Sequence, residues 1–225
     1  MADDARSGIL GTIRRAVEGQ RDEAAARAAV ADRLARHARN VIPLRAQLPP
    51  AQQVELFQRM AQAVGATVEL VTDPARVPHM AADYLSNHNL PARVRVAPDP
   101  LLQSLPWDRR PMLEVAFGRA TADDQTSLTT AVAGVAETGT LMLASGPDQA
   151  TTLAFLPTNH VVLLPLSRLV GTYEEGWDML RARGRGQPRT VNFVTGPSRT
   201  ADIEQTPQVH AHGPGRLHIL LLADM

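Results

Sequence analysis

Three short segments of the chain combine glycine with side chains that can hold an anion or transfer a proton. Glycine leaves backbone N–H groups accessible to an anion, and a guanidinium group binds a phosphate or carboxylate through paired hydrogen bonds. Ligands of open α/β sheets bind beyond the carboxyl ends of the strands, so we expect the segments at that edge. Together they predict a cleft for a small anion. The segments are residues 136–140, 195–204 and 210–216.

Segment 195–204 carries most of the predicted anion-binding groups. It follows an apolar strand and reads Thr-Gly-Pro-Ser-Arg-Thr-Ala-Asp-Ile-Glu. Its carboxylates, Asp202 and Glu204, are candidates for general acid–base catalysis. A structural alternative is that Ser198 begins a helix, the two acids complement the helix dipole, and Arg199 pairs with one of them. In the functional interpretation, the ligand-binding residues of this segment are Gly196, Ser198, Arg199 and Thr200.

Segment 136–140 places the carboxylate of Glu137 beside hydroxyl groups in an apolar neighbourhood. Such a carboxylate is available for proton transfer, or it anchors the loop through hydrogen bonds, and the sequence leaves both roles open. The catalytic candidate is therefore Glu137. The ligand-binding candidates of this segment are Thr138, Gly139 and Thr140.

The third segment contains histidines, which invites a comparison with metal sites. His210 and His212 are two residues apart, so on a strand they would share a face, and His218 follows inside an apolar run. Metal sites need further ligands, and no carboxylate lies close in sequence. We therefore predict no metal site and interpret His218 as a core residue. His212 is kept as a catalytic candidate and Gly213 as a ligand-binding candidate, while the role of His210 is left open.

The composition excludes several kinds of chemistry. The chain has 23 basic and 23 acidic residues, so it lacks the excess positive charge of general nucleic-acid binders. All of its basic residues are arginine, and it contains no cysteine. Schiff-base catalysis by lysine, a thiolate nucleophile and a cysteine-ligated iron–sulfur cluster are therefore excluded for this chain. The identity of any cofactor is left unknown.

The expected location follows from the distribution of apolar and charged residues. No apolar run approaches the roughly 20 residues needed to cross a bilayer. The first six residues carry two acids, where a secretory signal would be basic and then apolar. We therefore expect a cytoplasmic protein without a membrane span. The one basic cluster, residues 181–189, is interpreted as a solvated loop.

Helices and strands alternate through most of the chain. Continuous apolar runs at 161–164 and 219–222 are typical of strands buried on both faces of a parallel sheet. Strands separated by helices of about ten residues imply crossover connections. The pattern predicts an α/β domain over residues 46–225, with a largely parallel sheet flanked by helices, after a helical N-terminal extension over residues 1–45. Residues 122–133 are expected to form one of the helices.

The same segments carry a family resemblance. Glu-Thr-Gly-Thr at 137–140, Gly-Pro-Ser-Arg-Thr-Ala-Asp-Ile-Glu at 196–204 and His-Gly-Pro-Gly-Arg-Leu-His at 212–218 resemble the signature of the LUD-domain proteins. Within that family, the similarity is greatest to the lactate utilization protein C group. The opening helix and the segment Leu-Pro-Thr-Asn-His at 156–160 are similar as well. The resemblance implies a fold like that of the NagB/RpiA/CoA-transferase group.

The resemblance also implies a role in a three-component system that oxidises L-lactate to pyruvate. In that role the chain would be the cluster-free component, with iron–sulfur proteins as partners and a small carboxylate or phosphorylated molecule as ligand. Two alternatives stay open. One is a stand-alone enzyme or binding protein for a phosphorylated metabolite, CoA ester or folate, and the other is a non-catalytic assembly or regulatory subunit. Whether the chain is an enzyme or a homo-oligomer is not decided by its sequence.

Overall fold

The computed structural model describes residues 2–18, 22–201, 207–209 and 212–223. The chain divides into two compact units, Met1–Val41 and Ile42–Met225. The α-helices within the described residues are α1 (Ala2–Glu18), α2 (Glu23–Arg36), α3 (Pro50–Ala63), α4 (Val77–Asn87), α5 (Pro100–Gln103), α6 (Thr152–Phe155) and α7 (Tyr173–Ala182). The strands are β1 (Thr67–Val71), β2 (Arg93–Val96), β3 (Glu114–Phe117), β4 (Thr126–Thr130), β5 (Ala133–Val135), β6 (Thr140–Ala144), β7 (Asn159–Pro165), β8 (Leu169–Val170), β9 (Val191–Val194), β10 (Arg199–Ala201), β11 (Pro207–Val209) and β12 (Arg216–Leu222).

The first unit contains the helices α1 and α2. An aspartate begins α2, because the side chain of Asp22 accepts hydrogen bonds from the N–H groups of Ala24 and Ala25 at 3.0 and 3.1 Å. The helix ends at His37, whose left-handed backbone (φ 46°) closes the last turn. No helix in the described part of the chain is long and apolar enough to cross a membrane.

A six-stranded parallel sheet forms the centre of the second unit, in the order β1-β12-β7-β4-β2-β3. The two strands with continuous apolar runs, β7 and β12, are neighbours and pair from Asn159↔Arg216 to Pro165↔Leu222. Every residue of β7 is buried, as expected for a strand covered on both faces. The prediction of an α/β fold with a largely parallel sheet flanked by helices is therefore confirmed.

A smaller sheet packs between one face of the parallel sheet and α7, in the order β8-β5-β6-β9. Its strand β6 is antiparallel to both of its neighbours, β5 and β9. Side chains of β6 alternate in direction: Leu141 and Leu143 belong to the core shared with α3 and the parallel sheet. Met142 and Ala144 pack with Leu180 of α7. Strand β6 is therefore buried on both faces.

The two faces of the parallel sheet bury separate cores. On one face, Leu220 and Leu222 of β12 pack in the cluster that contains α4. On the other face, Ile219 and Leu221 pack in the cluster that contains Phe57 of α3. This alternation follows from the two-residue period of a strand. It places α4 and α3 on opposite faces of the sheet.

The helix predicted for residues 122–133 is wrong, because Thr126–Thr130 forms the central strand β4. Threonine is β-branched and fits a strand, but a strand in this position also requires partners for the buried hydroxyl groups. Ser127 donates to the Leu153 carbonyl oxygen at 2.6 Å, and the Thr129 hydroxyl lies 2.7 Å from Nε2 of His160. These tertiary contacts permit a polar sequence to occupy the middle of the sheet.

The order in which the chain adds strands to the sheet reverses after β3. Strand β3 lies on one side of β2, whereas β4 lies on the other side. The connections after β2 and β4 therefore diverge at the carboxyl ends of these two strands. Such a switch point leaves a crevice in which open α/β sheets bind ligands.

Candidate functional site

The three glycine-rich segments come together beside the C-terminal end of α3, at the amino ends of the parallel strands. The Arg199 guanidinium lies where a Cβ atom on Gly65 would stand, two residues before β1. The Ser198 backbone N–H donates to the Pro214 carbonyl oxygen at 2.7 Å, two residues before β12. We define the motif face as residues 138–140, 195–199 and 212–214.

This position corrects the expectation that the segments lie at the carboxyl ends of the parallel strands. Segment 195–204 does follow a strand, but that strand is β9, which belongs to the smaller sheet and is antiparallel to β6. The end of a strand in a second sheet is not tied to the ligand-binding edge of the parallel sheet. The alternation of helices and strands did not reveal which sheet β9 joins.

The interpretation of Ser198 as the start of a helix is wrong. The residues after it form β10, a short strand antiparallel to β11, with Arg199 opposite Val209. The Ser198 hydroxyl instead accepts a hydrogen bond from the His212 backbone N–H at 3.2 Å. This contact joins the second and third segments.

The remaining predicted residues of these two segments are distributed as follows. Gly213 is buried, and a Cβ atom there would stand 3.6 Å from Phe155. Thr200 lies in β10. Three predicted positions lie outside the described residues: Asp202, Glu204 and His210.

Four hydroxyl groups form a hydrogen-bonded cluster under the motif face. The Thr140 hydroxyl is fully buried and lies 2.7 Å from Thr138, 2.7 Å from Thr195 and 3.0 Å from Tyr173. Thr138 and Tyr173 are themselves 2.8 Å apart. The cluster therefore ties the start of β6 to the end of β9 and the start of α7. Ligand binding by Thr138 and Thr140 stays a prediction.

Glu137 is a buried carboxylate with an ion-pair partner. Its Oε1 accepts a hydrogen bond from Nη2 of Arg45 at 2.7 Å, and its backbone N–H donates to the Gly171 carbonyl oxygen at 3.1 Å. The Arg45 side chain is 70% exposed, so solvent weakens the attraction between the two charges. These contacts agree with the loop-anchor interpretation. A catalytic role for Glu137 stays a prediction.

Gly139 and Gly196 allow the motif loops to pack directly on α3. Both have positive φ angles, 66° and 77°, which disfavour residues with a Cβ atom. A Cβ atom at Gly139 would collide with the Ala61 backbone, and one at Gly196 would stand 2.7 Å from the Val64 carbonyl oxygen. The geometry therefore explains both glycines by backbone packing.

Two buried histidines have depressed pKa values. Burial lowers the pKa of His160 to about 4, and burial, with a smaller contribution from His88, lowers the pKa of His218 to about 4. His218 is buried as expected, with Nδ1 2.7 Å from the Thr67 hydroxyl and Nε2 3.7 Å from the Glu69 carboxylate. A neutral imidazole forms no ion pair, so we interpret the Glu69 distance as a close approach only. Among the described residues, no group of three or more His, Asp or Glu side chains can hold a metal ion.

A separate cleft of about 420 Å³ opens at the carboxyl ends of β2 and β4. It lies at the switch point of the parallel sheet, between that sheet and the C-terminal end of α7. We call it the carboxyl-edge cleft. Its polar lining consists of Asp99, Thr130, Asp148, Gln149, Arg168, Arg183 and Arg185.

Hydrogen bonds fix the lining of the carboxyl-edge cleft. Thr130 Oγ1 donates to Asp99 Oδ2 at 2.8 Å, and Gln149 Nε2 donates to the Thr130 carbonyl oxygen at 2.7 Å. Arg168 Nη1 donates to the Ala131 carbonyl oxygen at 2.9 Å. The polar groups at the base of the cleft are therefore held in position by the ends of β4 and β2.

Positive charge accumulates at the mouth of the cleft. Burial, together with the charges of Arg185 and Arg168, lowers the pKa of Arg183, and the charges of Asp99 and Asp148 only partly oppose this. Arg185 forms an ion pair with Asp148. The interpretation of the basic cluster as a solvated loop missed this arrangement, because the connections that bring Arg168 beside α7 are tertiary. Arg183 and Arg185 are nevertheless exposed, as that interpretation expected.

Residues 105–222, more than half of the chain, match the family model described as LUD domain. The chain belongs to the LUD domain family. The resemblance that the motif segments suggested is thereby confirmed. This LUD domain contains the whole motif face and every residue of the carboxyl-edge cleft except the segment around Asp99.

Relatives of this LUD domain include two proteins named Lactate utilization protein C. One, from Anoxybacillus flavithermus, is 38% identical over 90 residues, which are 40% of each chain. The other, from Bacillus subtilis, is 36% identical over 93 residues, which are 40% of this chain and 39% of the relative. The match therefore spans about two fifths of the length of the curated relatives.

A solved structure has a similar fold over most of the chain. The crystal structure of a DUF162 family protein from Deinococcus radiodurans superposes with a TM-score of 0.60 and 22% sequence identity. The superposition covers 78% of this chain and 99% of that chain. At this identity the similarity concerns the fold alone.

Proposed function

We propose that this chain is the cluster-free component of a cytoplasmic system that oxidises L-lactate to pyruvate. The observation that carries the proposal is the match to relatives named Lactate utilization protein C, within the LUD domain family. Oxidation of L-lactate to pyruvate releases two electrons and two protons. The chain has no cysteine and so carries no cysteine-ligated cluster, and the resemblance to the lactate utilization group implies iron–sulfur partner proteins that accept the electrons.

Within this proposal, Arg199 binds a small carboxylate at the motif face. Its guanidinium is exposed and lies over Gly65, where the absence of a side chain leaves room for it. Arginine is suited to this task because its planar donors match a carboxylate. His212 is held beside Ser198, close to the start of β10, and is the proton-transfer candidate among the described residues of this face.

A non-catalytic assembly role is a second candidate, and the internal contacts of the motif segments favour it. The hydroxyl groups of Thr138 and Thr140 are bonded within their own cluster, and Glu137 is paired with Arg45. These groups hold loops together. In this version, the exposed part of the motif face contacts an iron–sulfur partner instead of lactate.

Complementation of a deletion strain tests the proposed pathway. A strain that lacks the gene is expected to lose growth on L-lactate and to keep growth on pyruvate, and the wild-type gene is expected to restore growth on L-lactate. Undiminished growth of the deletion strain on L-lactate, in the absence of another lactate oxidase, would contradict the proposal.

The tagged protein, purified from lactate-grown cells, separates the two roles of the motif face. If Arg199 binds the substrate carboxylate, Arg199→Ala keeps the iron–sulfur partners and lowers lactate-dependent dye reduction at least about tenfold. If the face serves assembly, the same variant loses the partners. Arg189→Ala is the matched control, because Arg189 is an exposed arginine outside the motif face. Full activity with retained partners in Arg199→Ala would contradict both roles for this residue.

A further inference from the structure

We propose that the carboxyl-edge cleft binds a small anionic polyol, meaning a molecule with a phosphate or carboxylate group on a hydroxylated carbon skeleton. The cleft lies at the edge of the parallel sheet opposite to the motif face. The inference does not depend on the lactate proposal, because it rests on the arrangement of charges and hydrogen-bonding groups in a different part of the LUD domain.

Two arginines of the cleft are available to an anion. Arg168 donates one hydrogen bond to the Ala131 carbonyl oxygen. That acceptor is uncharged, so this contact does not neutralise the positive charge of the guanidinium. Arg183 lies at the mouth, where partial burial and the nearby charges of Arg185 and Arg168 lower its pKa. A bound phosphate or carboxylate would relieve the repulsion among these arginines and form charge-assisted hydrogen bonds with Arg168 and Arg183.

The carboxylates of the cleft neutralise these arginines only in part. The Asp148 carboxylate forms an ion pair with the third arginine of the cleft, Arg185. Asp99 accepts the Thr130 hydroxyl and the Leu101 backbone N–H, at 2.8 and 2.9 Å. Asp99 is therefore positioned by neutral donors, and three arginines face two aspartates in the lining.

The acceptors at the base of the cleft suit the hydroxyl groups of a ligand. Gln149 donates through Nε2 to the Thr130 carbonyl oxygen, and its Oε1 is buried without a hydrogen-bond donor among the described residues. Buried acceptors are normally satisfied, so Oε1 calls for a donor. Asp99 has further acceptor capacity, because a carboxylate has about four lone-pair sites and two are in use. A polyol supplies several such donors along a carbon skeleton, whereas inorganic phosphate carries at most two hydroxyl groups at neutral pH and has no skeleton to place them at both acceptors.

Size and position agree with this ligand class. The volume of about 420 Å³ falls within the range of roughly 300–1,000 Å³ that is usual for small-molecule sites. The switch point between β2 and β4 is the place where open α/β sheets bind ligands. A three-carbon acid such as lactate would fill only a minor part of this volume, so we infer a larger ligand.

Calorimetry and thermal denaturation of the full chain test the proposal with defined probes. Glucose 6-phosphate and 6-phosphogluconate, the combined probes, have both an anionic group and a hydroxylated skeleton of six carbons. Glucose lacks the anionic group, inorganic phosphate lacks the carbon skeleton, and L-lactate is too small to fill the cleft. We expect at least one of the two combined probes to raise the Tm and to bind at least about tenfold more tightly than any of the other three. Failure of both to bind at millimolar concentration would overturn the proposal.

Two variants assign the binding to the cleft. Arg183→Ala is expected to lower the affinity for the combined probe about tenfold or more, because a charge-assisted hydrogen bond to its anionic group is lost. Gln149→Leu is expected to lower the affinity for the combined probe and to leave the affinity for inorganic phosphate unchanged. Arg181→Ala is the matched control, because Arg181 lies in the last turn of α7, just before Arg183, but pairs with Asp178 outside the cleft lining. Unchanged affinity in Arg183→Ala, or an equal loss in Arg181→Ala, would show that the probe binds elsewhere.

Discussion

Thr130 and Asp99 connect the ends of two neighbouring parallel strands through one hydrogen bond, from Thr130 Oγ1 to Asp99 Oδ2 at 2.8 Å. Thr130 is the last residue of β4, and Asp99 follows β2 and begins α5 by accepting the Leu101 N–H. One carboxylate therefore fixes both the turn after β2 and the base of the carboxyl-edge cleft. This relationship is the structural link between the sheet topology and the proposed ligand site.

Removal of the Asp99 carboxylate is expected to destabilise the fold. Asp99→Ala removes a helix cap and leaves the Thr130 hydroxyl without its acceptor, so we expect a loss of about 1–3 kcal/mol in the free energy of unfolding. Thr130→Val is expected to cost about 1 kcal/mol. Urea denaturation of both single variants and the double variant measures the coupling, which should exceed about 0.5 kcal/mol. Strictly additive effects would show that the two side chains do not interact.

The buried hydroxyl cluster is expected to contribute to stability. Thr140→Val leaves the hydroxyl groups of Thr138, Thr195 and Tyr173 with fewer partners, and we expect a loss of about 1–3 kcal/mol. Thr151 provides the control, because the contact between its hydroxyl and that of Thr190 is long, at 3.5 Å, and exposed. Thr151→Val should change stability by no more than about 0.5 kcal/mol. Equal stability of the two variants in chemical denaturation would contradict a structural role for the cluster.

Close packing on α3 predicts that Gly196 does not tolerate a side chain. Gly196→Ala combines a positive φ angle with a Cβ atom placed 2.7 Å from the Val64 carbonyl oxygen. Gly186 has a similar φ angle of 69° but open space around it. Gly186→Ala should therefore cost about 1 kcal/mol for the backbone alone, and Gly196→Ala at least about 1 kcal/mol more. Thermal denaturation of the pair compares the two effects, and an equal loss of Tm would exclude the steric contribution.

Stability is expected to fall when the pH drops below about 6.5. His160 and His218 have folded-state pKa values of about 4, below the ordinary value of 6.5. Between these values the unfolded chain binds protons that the folded chain does not, so the stabilisation is complete above pH 6.5 and is lost as the pH falls toward 4. Each histidine contributes a slope of up to about 1.4 kcal/mol per pH unit.

Urea denaturation from neutral pH down to about 4.5 measures this slope. His160→Gln should reduce the slope of the unfolding free energy against pH, whatever its effect on absolute stability. The variant removes one of the two histidines whose pKa is lowered by burial. His37→Asn is the control, because His37 is exposed and asparagine accepts its left-handed backbone. A slope that is the same in all three proteins would contradict the assignment to His160.

Local patterns were sufficient to predict the architecture of the parallel sheet. The apolar runs at 161–164 and 219–222 indicated strands buried on both faces of a parallel sheet, and the structure then showed that the two strands are neighbours. The Thr-rich strand Thr126–Thr130 was missed, because its hydroxyl groups find partners only across the fold, such as His160 and Leu153. Hydropathy does not contain that information.

The sequence by itself determined which residue types are available for chemistry. It contains the motif segments and the arginines, and it has neither cysteine nor lysine. Only the tertiary structure decided where these residues lie. The motif segments gather at the amino edge, because β9 joins a second sheet that has its own direction. Arg168 and Arg183 line the same cleft as Asp99 at the opposite edge. This cleft exists because the connections after β2 and β4 lead to opposite sides of the sheet. Both outcomes depend on pairings between strands far apart in sequence, and local residue spacing does not encode such pairings.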